Sequence, residues 1–164
     1  MFSQIQLVSL HKRRNLILSE KKKYREITMI NIEDLKQENQ KITNLTDVLY
    51  KLIEDEQMRE NPVFCELMNQ FSKSVEDHLI HEDRTVYSDL LTSEDPQIGQ
   101  LADQFITNTH ELRRLMKDYT KRWCHSANKD HSTFVEKTRE IFSLVDRRIN
   151  LEDNKLFPSI ANIA

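Results

Sequence analysis

One glycine, Gly99, and three prolines among 164 residues leave little material for turns. A phosphate-binding loop, a dinucleotide fingerprint and a strained nucleophile turn each need several glycines close together, so all three are excluded. With turn formers this scarce and 31% of residues charged, long helices are expected rather than a turn-rich sheet protein. The two cysteines, Cys65 and Cys124, form no CxxC pair, and their spacing is that of neither a zinc ribbon nor a redox motif. Reduced thiols in a cytoplasmic protein are the simpler reading. No apolar run approaches the length of a membrane span. No nucleophile stands at meaningful spacing from a base, so the chain is not expected to be an enzyme.

What is present is charge, unevenly placed. The first 28 residues carry seven Lys/Arg against Glu20 and Glu26, a balance of +5 that leaves −8 on residues 29–164. An acidic body argues against nucleic-acid binding by the folded domain, and nothing points to a membrane partner for it. The basic stretch could serve as a nucleic-acid or membrane-surface arm or a transit peptide. The preferred reading is a leader that is disordered or not normally made. Arg25-Glu26-Ile27-Thr28 can be encoded by a purine-rich ribosome-recruiting run, which makes Met29 the expected true start of a bacterial protein.

From Met29 the apolar residues Ile32, Leu35, Ile42, Leu49 and Ile53 recur as on an amphipathic helix, with Asn39 inside the stripe. This helix is expected to end near 56–60, before the cap Asn61-Pro62. A second helix is expected from Pro62 to about Leu91, with Phe64, Met68, Phe71, Val75, Leu79 and Val86 inward. The same stripe places Glu82 near its centre and His78 slightly to one side. Asp95-Pro96 starts a third helix, whose inner stripe passes through Thr109 and leaves His110 on the surface. The last helix is expected from about Thr133 to Pro158, with Arg148 and Glu152 at the phases that His78 and Glu82 occupy in the second. Four helices joined by short loops predict an all-α, up-down-up-down antiparallel four-helix bundle forming one domain over 29–164.

Two stretches repeat a pattern: His78-Leu-Ile-His-Glu82-Asp-Arg-Thr-Val86-Tyr87 and Arg148-Ile-Asn-Leu-Glu152-Asp-Asn-Lys-Leu156-Phe157. In each, the first residue and the Glu lie one helical turn apart, so a pair of polar side chains is aimed one way. Polar groups at one depth on all four helices are how metal sites are built in bundle cores. The arrangement resembles the hemerythrin-like, or HHE cation-binding, domain from roughly Met29 to Pro158. That resemblance implies a non-heme di-iron site that binds dioxygen, senses oxygen or redox state, or stores metal. It also implies ligands at His78, Glu82 and Glu152, and further histidines where this chain has Asn39, Thr109 and Arg148.

One His and two Glu cannot supply the roughly five imidazoles plus bridging carboxylates that the resemblance implies for two irons. Either a single divalent metal sits on His78, Glu82 and Glu152, with water or His81 completing its shell, or no metal binds and the Arg148 guanidinium meets both carboxylates in its place. The plainer readings are a hydrogen-bonded core histidine at His78 and an ordinary i,i+4 pair of Arg148 with Glu152. His81, His110, His125 and His131 show no metal-site spacing, and His11 lies in the leader. Three roles therefore remain open. One is a sensory, regulatory or binding module with a partly lost centre. The second is a working iron or other divalent-metal protein. The third is a metal-free bundle that binds a protein partner, such as a sigma-factor-binding regulator of transcription.

Overall fold

The computed structural model describes residues 4–91, 93–123 and 130–163, which are almost wholly helical and contain no strand. Helix α1 spans Gln4–Glu54 and α2 Glu56–Glu60. Pro62–Thr85 forms α3, Tyr87–Leu91 α4, Pro96–Trp123 α5 and His131–Leu151 α6. A π-helical turn over Glu152–Leu156 leads into α7, Phe157–Ile163. For the basic leader the expectation is disorder or absence. Its described backbone is helical from Gln4, in a stretch that has neither glycine nor proline before Pro62.

The expected ends hold where a cap was legible. Asn61 accepts from the Val63 amide at 3.0 Å with Pro62 in the first turn, and Asp95 accepts from the Gln97 amide at 2.9 Å ahead of α5. Asp130 accepts from the Ser132 amide and so starts α6 two residues earlier than expected. The first long helix stops at Glu54, a turn early, because Asp55 caps the short α2 through the Gln57 and Met58 amides.

Two helices depart from regular form, and they do so just after the repeated Glu. The second helix does not run on to Leu91. It breaks at Val86, where the Thr85 hydroxyl donates back to the His81 carbonyl at 2.7 Å. After Glu152 the ladder widens, the Phe157 amide reaching back to the Glu152 carbonyl. Pro158 therefore does not end the last helix. It falls in the first turn of α7, where no backbone donor is required of it.

Around the core, α1 packs on α3 and α6, and α5 packs on the same two helices. Two apolar clusters divide the interior. The larger joins Ile42, Leu49 and Ile53 to Phe64, Phe71, Leu112, Met116, Phe134 and Phe142. The smaller joins Ile32 and Leu35 to Val86, Tyr87, Leu90, Phe105, Leu156 and Phe157. Both aliphatic-aromatic tails of the sequence repeat thus lie in the smaller cluster. A layer of polar side chains lies between the two.

Candidate metal centre

All six positions singled out in the sequence are buried at one level. Glu82 and Glu152 are fully enclosed, and Asn39, His78, Thr109 and Arg148 keep at most 6% of their surface. The pairs arise from helix geometry alone. His78 and Glu82 are four residues apart on α3, while Arg148 at the end of α6 and Glu152 at the start of the π turn are likewise four apart. Apolar clusters lie on both sides of this level, so each charge here needs a partner within the layer.

Arg148 supplies most of them. Its Nε donates to Glu152 Oε1, and its Nη2 donates to Glu82 Oε2 at 2.5 Å and to the Tyr87 hydroxyl. Nη1 donates to the Phe105 carbonyl at 2.9 Å, and the guanidinium lies over the Phe105 ring at 4.4 Å. A planar fork meeting two carboxylates on different helices is what lysine's point charge would not reproduce. Burial opposes the charged form of Arg148, but the two carboxylates more than offset this and raise its pKa further.

Glu152 is the best-satisfied carboxylate. Its Oε2 accepts from Asn39 Nδ2 at 2.9 Å and lies 3.1 Å from His78 Nε2. Burial pushes its carboxyl up, yet the His78 hydrogen bond and the charges of His78 and Arg148 hold it below the usual range. Glu82 goes the other way. Burial and the nearby Glu152 charge raise it to about 7 against the attraction of Arg148 and His78, and its Oε1 has no hydrogen-bond partner.

His78 faces a carboxylate on each side, with Nε2 at Glu152 and Nδ1 3.0 Å from Glu38 Oε2. Burial alone would lower its pKa. The hydrogen bonds to Glu152 and Glu38 and the charges of Glu152 and Glu82 raise it to about 9, so both ring nitrogens carry protons at neutral pH. His78 and Arg148 therefore place two cations beside the enclosed Glu82 and Glu152 carboxyls.

This bears directly on an iron centre. His78, Glu82 and Glu152 each offer a ligand atom within 4.8 Å of the others, which is a candidate site for an ion. Around them, however, stand an amide, a hydroxyl and a guanidinium, none of which is an iron donor of the kind the resemblance implies. Arg148 already bridges the carboxylates, and both ring nitrogens of His78 are engaged by carboxylates, Glu38 and Glu152. The residues present do not fit a pair of irons.

Three participants were not found in the sequence. Glu38 holds His78 and, through Oε1 at 2.9 Å from Nδ1, His81 as well. It stands three residues after Leu35 and four before Ile42, so the α1 stripe admitted it as readily as Asn39. Tyr87 was legible as the aromatic of the repeat, but not its hydroxyl between Arg148 and Thr109, 3.3 Å from Thr109 Oγ1. The Phe105 carbonyl carries no side-chain signal at all. His110 is exposed as expected, His131 lies on the surface 3.8 Å from Glu60, and His125 falls outside the described residues.

A family model described as the hemerythrin HHE cation binding domain matches residues 31–160. No curated protein and no solved structure matches the chain.

Proposed function

This chain belongs to the hemerythrin HHE cation-binding domain family, and from that premise we propose that it is a small sensory, regulatory or binding module whose centre is closed by an ion-pair network instead of two irons. The observation that carries the reading is the Arg148 guanidinium, which contacts Glu82 and Glu152 from the place a cation would take between them. A second positive charge there would face Arg148 at contact distance in a medium that screens poorly. Reversible oxygen carriage is therefore not its role, and no catalytic step is assigned to it.

The scaffold in this reading is an up-down-up-down antiparallel four-helix bundle. The cluster memberships support it: the middle of α1, the segment just after α3, the first part of α5 and the segment just after α6 share one cluster, while the C-terminal part of α1, α3 itself, the later part of α5 and α6 itself share the other. A protein partner suits the groove between α3 and α5. Its floor is Val75, Leu79 and Met116, and its rim is Arg113, Arg114, Lys117 and Lys121. Among described residues no helix is long and apolar enough to cross a membrane.

A second reading has one observation in its favour. The unpartnered Oε1 of Glu82, with His78 and Glu152 nearby, would give a single divalent ion three donors if Arg148 swung aside. Anaerobic loading with ferrous ion, desalting, and metal analysis with an absorption spectrum before and after air separate the two. No iron retained above background is the expected result. One or two retained irons with a near-ultraviolet oxo-iron band, lost in Glu82→Ala, would overturn the ion-pair reading.

A further inference from the structure

Away from the polar layer, α3 and α5 lie side by side beneath a groove of about 750 Å³. A polar link flanks it at each end. Thr120 Oγ1 lies 3.4 Å from Ser72 Oγ, and Arg113 Nη1 meets Asp83 Oδ2 at 2.9 Å. Val75, Leu79 and Met116 make the floor, but each keeps 4% of its surface or less. A purely apolar ligand would gain little from so closed a floor, and the wall decides what binds.

That wall is cationic. Arg113, Lys117 and Lys121 follow one another at four-residue steps along α5 with Arg114 beside them, and the last three of these four cations in sequence are exposed. From Arg113 to Lys121 the row runs about 12 Å, at ~1.5 Å per residue. Glu76 is the one acidic side chain in the lining, so the groove is positive on a domain whose residues 29–164 total −8. Arg113 also has binding capacity to spare. Beyond the Asp83 contact, its Nε and Nη2 have no hydrogen-bond partner among the described residues. Donors left in that state cost free energy that an incoming carboxylate would recover. The Arg113 side chain keeps 25% of its exposure, which leaves the guanidinium room to turn toward a ligand.

We propose that this groove docks an acidic amphipathic helix of a protein partner, its carboxylates against the α5 row and its aliphatic face over the lysine and arginine stems. The proposal rests on reading the chain as a binding module, and it names the kind of segment that module takes. Carboxylates one turn apart on a helix repeat at ~6 Å, the same step that separates Arg113, Lys117 and Lys121. An extended segment fits less well. The walls are helices whose backbones are bonded internally, so its main-chain groups would find no partners there. The chain's own first 28 residues are a poor occupant, because their balance is +5. A nucleic-acid strand would meet Glu76 and Asp83 on α3 and an acidic domain around them.

The test is fluorescence anisotropy of the full chain with a labelled helical peptide carrying leucine on one face and glutamate at every fourth position beside it. Saturable binding is expected, and the same peptide with glutamine for glutamate should bind about tenfold more weakly or worse. Arg114→Glu with Lys117→Glu should weaken binding by a similar factor. Lys51→Glu with Arg147→Glu, an equal change of net charge outside the groove, should leave it within about twofold. Circular dichroism checks that each variant is folded, and Arg114→Gln with Lys117→Gln repeats the test without introducing acid. Equal loss in both charge-reversed pairs would show attraction to net charge alone and overturn the groove. A single-stranded oligonucleotide that binds more tightly than the peptide and is lost in the same groove variant would give the wall to phosphate. A dimer in sedimentation that this variant dissolves would give it to a second copy, and no binding at millimolar peptide would overturn the site outright. None of these failures touches the ion-pair centre, which iron loading tests separately.

Discussion

The Arg148 Nη2 atom lies 2.5 Å from Glu82 Oε2, joining the last long helix to α3 across 66 residues of sequence. The same guanidinium closes on Glu152 one turn along its own helix. The three side chains behave as a unit, because each carboxylate is enclosed and would be expensive to leave without a cation.

Arg148→Ala removes that cation and leaves the two enclosed carboxylates with His78, Asn39 and the Tyr87 hydroxyl for support. Removing one partner of a buried pair costs about 3–5 kcal/mol. Urea unfolding should show a loss of that order. Arg148→Lys keeps the charge but not the fork and should fall between wild type and the alanine variant. A loss below about 1 kcal/mol for Arg148→Ala would mean that the pair is solvated, contrary to the burial.

Stability should fall as pH rises from about 6.5 to about 9. The folded-state pKa of His78 is raised from 6.5 to about 9, so its charge stabilises the fold fully below 6.5 and that contribution is lost as pH passes 9. A rise of that size corresponds to about 3 kcal/mol, since each tenfold gain in proton affinity is worth roughly 1.4 kcal/mol. Glu82, raised to about 7 by burial and Glu152, acts with the same sign from about 4.5 to 7, since the folded state favours its protonated form. Glu152, held below the usual range, acts oppositely and loses its contribution as pH falls below that range. Chemical unfolding across pH should therefore peak on the mildly acidic side, and His78→Gln should flatten the alkaline limb. A stability curve flat from pH 6.5 to 9 would contradict the double carboxylate contact of His78.

The helix phases were legible because Phe64, Phe71, Val75 and Leu79 repeat at helical spacing, and the same arithmetic placed Glu82 and Glu152 inside. Single-residue caps at Asn61 and Asp95 were equally readable, since a side-chain oxygen before proline has a local cause. The break at Val86 and the π turn at Glu152 were not. They answer to tertiary demands, bringing Val86, Tyr87, Leu156 and Phe157 into the second cluster while Glu82 and Glu152 stay at the polar layer. Glu38 escaped for another reason. A glutamate at the border of a stripe is ordinarily solvated, and only the two histidines facing it across α1 and α3 turn it inward.

Tyr87→Phe tests the outer edge of the network. The hydroxyl accepts from Arg148 and lies near Thr109, so its loss leaves one guanidinium N–H less well served and Thr109 without this contact. A buried hydrogen bond of this kind contributes about 1–2 kcal/mol, more when a charged group takes part. Thr109→Val alone should cost less, and the double variant should cost less than the sum of the two singles. A double-mutant cycle in urea measures this coupling directly, and strict additivity would show that the 3.3 Å contact carries no energy.

Arg148→His asks whether the centre can be returned to metal chemistry by one change. The substitution removes the guanidinium that bridges Glu82 and Glu152 and supplies an imidazole beside His78, Glu82 and Glu152. Two imidazoles and two carboxylates are enough donors for one ion of mixed N/O preference. They are too few for two, because Asn39 and Thr109 still offer an amide and a hydroxyl at the other positions. The expected outcome after anaerobic ferrous loading is a gain from no retained iron to about one equivalent, with the fold preserved by metal. Chelation should then lower the melting temperature of this variant and leave wild type unchanged. If the variant folds and retains no iron, the centre has lost its ligand geometry as well as its ligands. The failure would then lie with the widened turn at Glu152, and not with Arg148 alone.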